Sequence, residues 1–249
     1  MRRYVLSGLF SAALALAAFL TQATCRANEL IDAIKAGDTP LVQSLLVSGA
    51  DANEKTMYGG PLNIAAEVAP PGIVTILIDA GAKLETPGLA GYHPLHVAAI
   101  KGRADIVALL IERGAIVDAL DAHGRTPLSV ATISAGNVDA INALLAGGAD
   151  PLLEDGSYHM TALHFAAAKG QVEVASVLLS AGVDINLRDG GGATALLHAA
   201  GDGQVDMVKF LVARGADVNI AGNDGETPYQ VAPKGGQIQA LLDNAGVKH

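Results

Sequence analysis

The sequence predicts an all-α repeat solenoid built from helix-turn-helix units of about 33 residues. Three observations predict it. Segments led by a helix-ending glycine recur as GADAN from Gly49, GAKLE from Gly81, GAIVD from Gly114, GADPL from Gly148, GVDIN from Gly182 and GADVN from Gly215, in steps of 32, 33, 34, 34 and 33 residues. A helix-start signal keeps the same register: GPLN at 60–63, HPLH at 93–96, TPLS at 126–129, TALH at 161–164, TALL at 194–197 and TPYQ at 227–230. Between the two markers, apolar residues fall at the i, i+3, i+4 spacing of a one-sided helix, as in Ile106, Leu109 and Leu110.

The stretch from His93 to Asp118 shows what each unit contains. Pro94-Leu95-His96 opens a short helix of small residues, Val97 to Lys101, which Gly102 ends. A second helix carrying Ile106, Leu109 and Leu110 runs to Gly114, and a polar, Gly-containing segment leads to the next copy. Such a unit has apolar surface on both flanks, so it must stack on neighbours to bury it. The repeated period and the T-P-L-H-x-A-A pattern together resemble the ankyrin-repeat family over essentially everything after residue 28.

The two ends depart from the central pattern in ways a solenoid requires. Residues 28–55 read as an N-terminal cap: a helix from Glu29 to Ala36, Gly37, then a second helix starting near Pro40 with Val42, Leu45 and Leu46 on one face. Glu29, Asp32 and Lys35 supply the polar outer side. Central repeats are expected at about 56–87, 88–120, 121–154, 155–188 and 189–221, and a C-terminal cap at 222–249, where Gln237 and Gln239 interrupt the apolar positions. In the first central repeat Pro70 and Pro71 stand where the second helix begins, a position proline tolerates, so the connection bends but the helix survives. One extra residue falls within ATISAGN, and another lengthens the loop around Asp155, Ser157, Tyr158 and His159.

Before the repeats, residues 1–27 read as a secretory signal peptide: Arg2 and Arg3, an apolar run from Val5 to Leu20, then small residues suited to cleavage after Ala23 or Ala27. An uncleaved anchor, a lipoprotein cysteine at Cys25 and a twin-arginine signal fit less well. The run is short and interrupted, Gln22 and Thr24 are unsuited to lipoprotein processing, and the basic region spans three residues. A mature chain from Asn28 has no cysteine and no disulfide, which suits an oxidising compartment. It sets 25 acids against 13 bases, a formal charge of −12, which disfavours nucleic acid and anionic membranes as partners.

Candidate chemistry is sparse. The ankyrin resemblance implies that His96 and His164 hydrogen-bond nearby backbone and tie units together, while His198, one place out of register, leaves that tie in doubt. His93-x-x-His96, with His123 or His159, lies in separate units and does not assemble the three or four donors zinc requires. Asp105, Asp139, Glu173 and Asp206 each follow an inter-helix glycine by three residues, where a negative charge offsets the helix dipole. Gly190-Gly191-Gly192 lacks the strand, Lys and Ser/Thr of a phosphate loop. No catalytic constellation, cofactor or metal is expected.

Tyrosine placement says more. Tyr58, Tyr92 and Tyr158 fall between one unit's second helix and the next unit's helix start, and Tyr229 lies in the last cap. The ankyrin resemblance implies that these segments form projecting fingers which, with the first helices, line a concave recognition face. Tyrosine offers large contact area at low entropic cost. The expected partner-binding residues are Tyr58, Tyr92, His93, Lys101, His123, Arg125, Tyr158, His159, Met160, Lys169 and Glu226, flanked by Glu67, Asp202 and Lys234. The expected molecule is a monomeric, exported, non-catalytic module that binds a protein in the periplasm, with a secreted effector as the alternative and an enzyme least favoured.

Overall fold

The computed structural model describes residues 28–247 apart from 57 and 157; the signal-peptide expectation for 1–27 lies outside the described residues. Helix α1 (28–36) pairs with α2 (Thr39–Val47), α3 (Pro61–Val68) with α4 (Pro71–Asp79), and α5 (Pro94–Ile100) with α6 (Ala104–Glu112). Next come α7 (Pro127–Ser134) with α8 (Val138–Ala146), α9 (Ala162–Ala168) with α10 (Val172–Ser180), and α11 (Ala195–Gly201) with α12 (Val205–Ala213). The last pair is α13 (Pro228–Val231) with α14 (Gln237–Asn244). From α3 onward each first helix packs on the next first helix, and from α2 onward each second helix on the next second helix, giving two layers. β-Bridge pairing is confined, among the described residues, to Thr56 with Gly59 and Arg188 with Thr194.

Local chemistry sets the helix ends. Proline stands in the first turn of α2, α3, α4, α5, α7 and α13, where no amide hydrogen is needed. The third helical residue often reaches back to the capping amide: Asn63 Oδ1 accepts from Gly60 N–H (3.1 Å), His96 Nδ1 from His93 (3.3 Å) and His164 Nδ1 from Thr161 (3.2 Å). Gly102 and Gly114 have φ of +69° and +94°, left-handed values that let the chain reverse after each helix of the unit. Asp105, Asp139, Glu173 and Asp206 all occupy first turns of second helices, as the sequence predicts.

The core is one apolar layer between the two helix rows. First helices contribute small residues, such as Ala98 and Ala99, so neighbouring backbones approach closely, while second helices contribute Ile106, Val107 and Leu110, all fully buried. Val107 takes the full burial that the spacing assigns to Leu109, which is only partly covered. Pro71 opens α4 without deleting it, and the extra residue of ATISAGN lengthens α7 to eight residues against the seven of α5.

Side chains lock each unit to the next. His96 Nδ1 already accepts a hydrogen bond, so Nε2 carries the proton and donates to the Arg125 carbonyl (3.0 Å); His164 likewise donates to the Leu187 carbonyl (3.0 Å). Asn63 fills the same slot and donates to the Tyr92 carbonyl (2.9 Å). Gln171 and Gln204, at the starts of α10 and α12, donate to the Thr132 and Ala168 carbonyls of the preceding units, each at 2.9 Å. His198 makes a different contact, 2.7 Å to the Asp189 carboxylate in its own unit's finger.

Candidate functional site

The inter-unit segments are fingers closed by repeated backbone bonds: Gly88 N–H to Tyr92 O, Asp121 to Arg125, Asp155 to Met160, Asp189 to Ala193 and Gly222 to Glu226, at 2.9–3.0 Å. Neighbouring fingers are joined as well, Ala122 N–H to Ala90 O, Gly156 to Gly124, Gly190 to His159 and Asn223 to Gly191, at 2.9–3.2 Å. An aspartate at the base of a finger adds a second closure, since Asp121 and Asp189 each accept two backbone amides, two and four residues on.

Several of the expected binding residues serve this scaffold. Arg125 donates through Nε to the Asp121 carboxylate (2.8 Å) and through Nη2 to the Tyr92 hydroxyl (2.9 Å), and Tyr92 stacks on His96 with ring centroids 5.9 Å apart. Burial raises the Asp121 carboxyl, but the Arg125 guanidinium and two backbone amides outweigh it and hold the group below the usual carboxylate range. His93 Nδ1 is paired with Glu85, whose other oxygen accepts the Ile116 amide at 2.9 Å. Tyr92, His93 and Arg125 are therefore half-buried framework groups.

Met160 requires a correction: it is buried and offers no surface. The extra residue in its finger makes Asp155 collect the amides of Tyr158 and Met160, three and five positions on, at 3.0 Å each. Met160 thus takes the place that the half-buried Arg125 holds one finger earlier, and Tyr158, 69% exposed, takes that of the exposed His123. In the same finger His159 adopts φ +54° in the slot that Gly124 and Gly192 fill elsewhere.

The remaining expected residues, Tyr58, Lys101, His123, His159, Lys169 and Glu226, are exposed. They do not form one cluster. Tyr58 and Lys101 line a groove of about 200 Å³ with Asn63, Ile64, Glu67, Leu89, Tyr92, Val97 and Ile100, between the first two fingers and over α3 and α5. It continues past Tyr58, Ile64 and Glu67 to Val68 and to Lys35 of α1. Tyr58, Val68 and Leu89 are 57%, 52% and 67% exposed, while Lys101 meets Glu67 across the groove at 2.8 Å.

Sequence reasoning missed Leu89, Ile64 and Val68. A signal was present: Val68 stands eight residues after its helix cap, where the following units carry Lys101, Ser134, Lys169 and Asp202. An apolar residue at an otherwise polar surface slot marks the groove.

The site is apolar and its charges are few. Among the described residues no group of three or more His, Cys, Asp or Glu converges to hold a metal ion, and no helix is long and apolar enough to cross a membrane. The two most deeply buried imidazoles, His96 and His164, are held below their ordinary value of 6.5 by burial, against the opposing pull of the carbonyls they bond.

The family described as ankyrin repeats (3 copies) matches residues 30–121, 62–155, 121–189 and 163–248, overlapping stretches that cover the whole stack. The chain belongs to the ankyrin-repeat family. The crystal structure of the ankyrin repeat domain of Bcl-3, described as a unique member of the IkappaB protein family, is similar to it with a TM-score of 0.76 and 25% identity, covering 86% of this chain and 97% of that one. A segment of 51 residues is 45% identical to the E3 ubiquitin-protein ligase KEG of Arabidopsis thaliana; it is 20% of this chain and spans 3% of the length of that relative. These ankyrin repeats make the chain a protein–protein interaction scaffold, a fold that typically carries no catalysis.

Proposed function

We propose that this ankyrin-repeat protein is exported to the periplasm and there binds a protein partner through its fingers and first helices. The observation that carries the reading is the groove between the first two fingers, where Tyr58, Val68 and Leu89 stay exposed in a chain whose other large apolar side chains mostly fill the core. Exposed apolar side chains gathered in one groove and rimmed by charged groups are a common form of interaction surface. Export rests on the basic start and apolar run of residues 1–27 and on the absence of cysteine from residue 28 onward. The protein acts as an escort or an inhibitor of a periplasmic enzyme, roles that differ in whether the captured enzyme gains lifetime or loses activity.

Two measurements test this. Fractionation of producing cells should place a shortened chain in the periplasm; recovery from the medium would favour a secreted effector, and full-length protein in the cytoplasm would end the export reading. Capture of partners from a periplasmic extract should give a specific protein whose retention falls at least tenfold with Tyr58→Ser. Equal capture by a scrambled-surface variant, Tyr58→Ser with Tyr158→Ser and Lys169→Glu, would remove the binding face.

A further inference from the structure

Resting on the proposed binding role, we infer that the groove between the first two fingers is an anchor pocket. It takes one large apolar side chain of the partner, and Lys35 at its rim holds an acidic residue beside that anchor. Three observations lead there. The floor is made of Ile64, Val97 and Ile100 from two neighbouring first helices, so it is rigid, and the walls are the Tyr58 and Leu89 side chains of two fingers. The part between the two fingers holds about 200 Å³, the scale of one side chain, and opens past Tyr58 and Ile64 into a hollow of about 410 Å³ that reaches Lys35. Beside the floor, Asn63 is already engaged between Gly60 and the Tyr92 carbonyl and the Tyr92 hydroxyl with Arg125, while Tyr58, 57% exposed, leaves its own hydroxyl to water. An apolar group therefore enters without stranding a donor.

Charge supplies the second half. Lys101 is neutralised by Glu67 across the groove, whereas Lys35, exposed at the far rim, forms no ion pair among the described residues. In a chain of formal charge −9, acidic partners are repelled at long range, so an unpaired cation beside an apolar pocket selects locally for a carboxylate. The recognised element is thus a Phe, Leu or Met with an Asp or Glu close by. The rest of the interface is left to the other fingers.

The test uses the protein as purified from an exporting host and a phage-displayed library of random 12-residue peptides. Enriched peptides should pair a large apolar residue with a nearby acid, and their binding should fall at least tenfold with Leu89→Ser and with Lys35→Glu while surviving Tyr158→Ser. Repeating the selection on Lys35→Glu should exchange the acid for Lys or Arg, a gain of function that a misfolded variant cannot imitate. No enrichment, enrichment without that pattern, or an unchanged pattern on Lys35→Glu would overturn the pocket. If the natural partner is captured but ignores Leu89→Ser and Lys35→Glu, the pocket fails while the binding role stands; if no partner is captured at all, the binding role itself fails.

Discussion

At the scale of single residues, His96 and His164 link the fold to pH. Burial keeps both imidazoles below their ordinary value of 6.5, so the folded chain holds fewer protons than the unfolded chain in mildly acid solution. Their contribution is complete above pH 6.5 and is lost as the pH falls below it toward the folded values. Asn63 shows that an amide does the same job, accepting from the cap and donating to the next finger without a titratable proton. The double variant His96→Asn, His164→Asn should therefore fold and show a flatter decline of Tm between about pH 7 and 5 than the parent. Parallel slopes would mean that other groups carry the acid sensitivity. His159 gives a second residue-scale prediction. Its left-handed backbone should accept glycine with little loss, whereas His159→Val should cost about 1–2 kcal/mol in a urea titration.

At the scale of the element, the second helices are fastened by their opening residues. Gln171→Ala or Gln204→Ala removes the donor to a carbonyl of the preceding unit and should lower stability by about 1–2 kcal/mol in chemical denaturation. A loss no larger than that of an exposed Gln237→Ala control would show that water replaces the amide. These ties were not read from the sequence, because Arg103, Asn137, Gln171 and Gln204 share a slot but not a chemistry, and only the packed units show which carbonyl each can reach. The helices themselves were legible, since period, proline and glycine all report local backbone demands. The fingers were legible in place but not in orientation. One extra residue between Asp155 and Thr161 shifts the amides that the buried carboxylate collects from two and four positions on to three and five, and so sets which side chain falls in the covered place beside the helix cap.

At the scale of the whole molecule, stability is spread along the stack rather than gathered at a centre. Ile141, fully buried in α8, touches a core shared with the units on either side, and Ile141→Ala should cost about 2–5 kcal/mol. In hydrogen exchange followed by mass spectrometry, the lost protection should be greatest in α6, α8 and α10 and small in α2 and α14. A uniform loss would mean that the stack opens as one body. The groove was the least legible feature, because it exists only where two units meet: Tyr58 came from one finger, Leu89 from the next, and the floor from α3 and α5.

The side-chain ties between units span only 23 to 39 residues of chain, and the finger-to-finger backbone bonds span 31 or 32. These ties each join one unit to its neighbour. A load applied to the two termini is therefore borne in series, each seam carrying the full force, and the weakest seam gives way first while its neighbours stay folded. Pulled from both ends, such a stack is expected to lengthen one unit at a time, each step releasing about one repeat of chain.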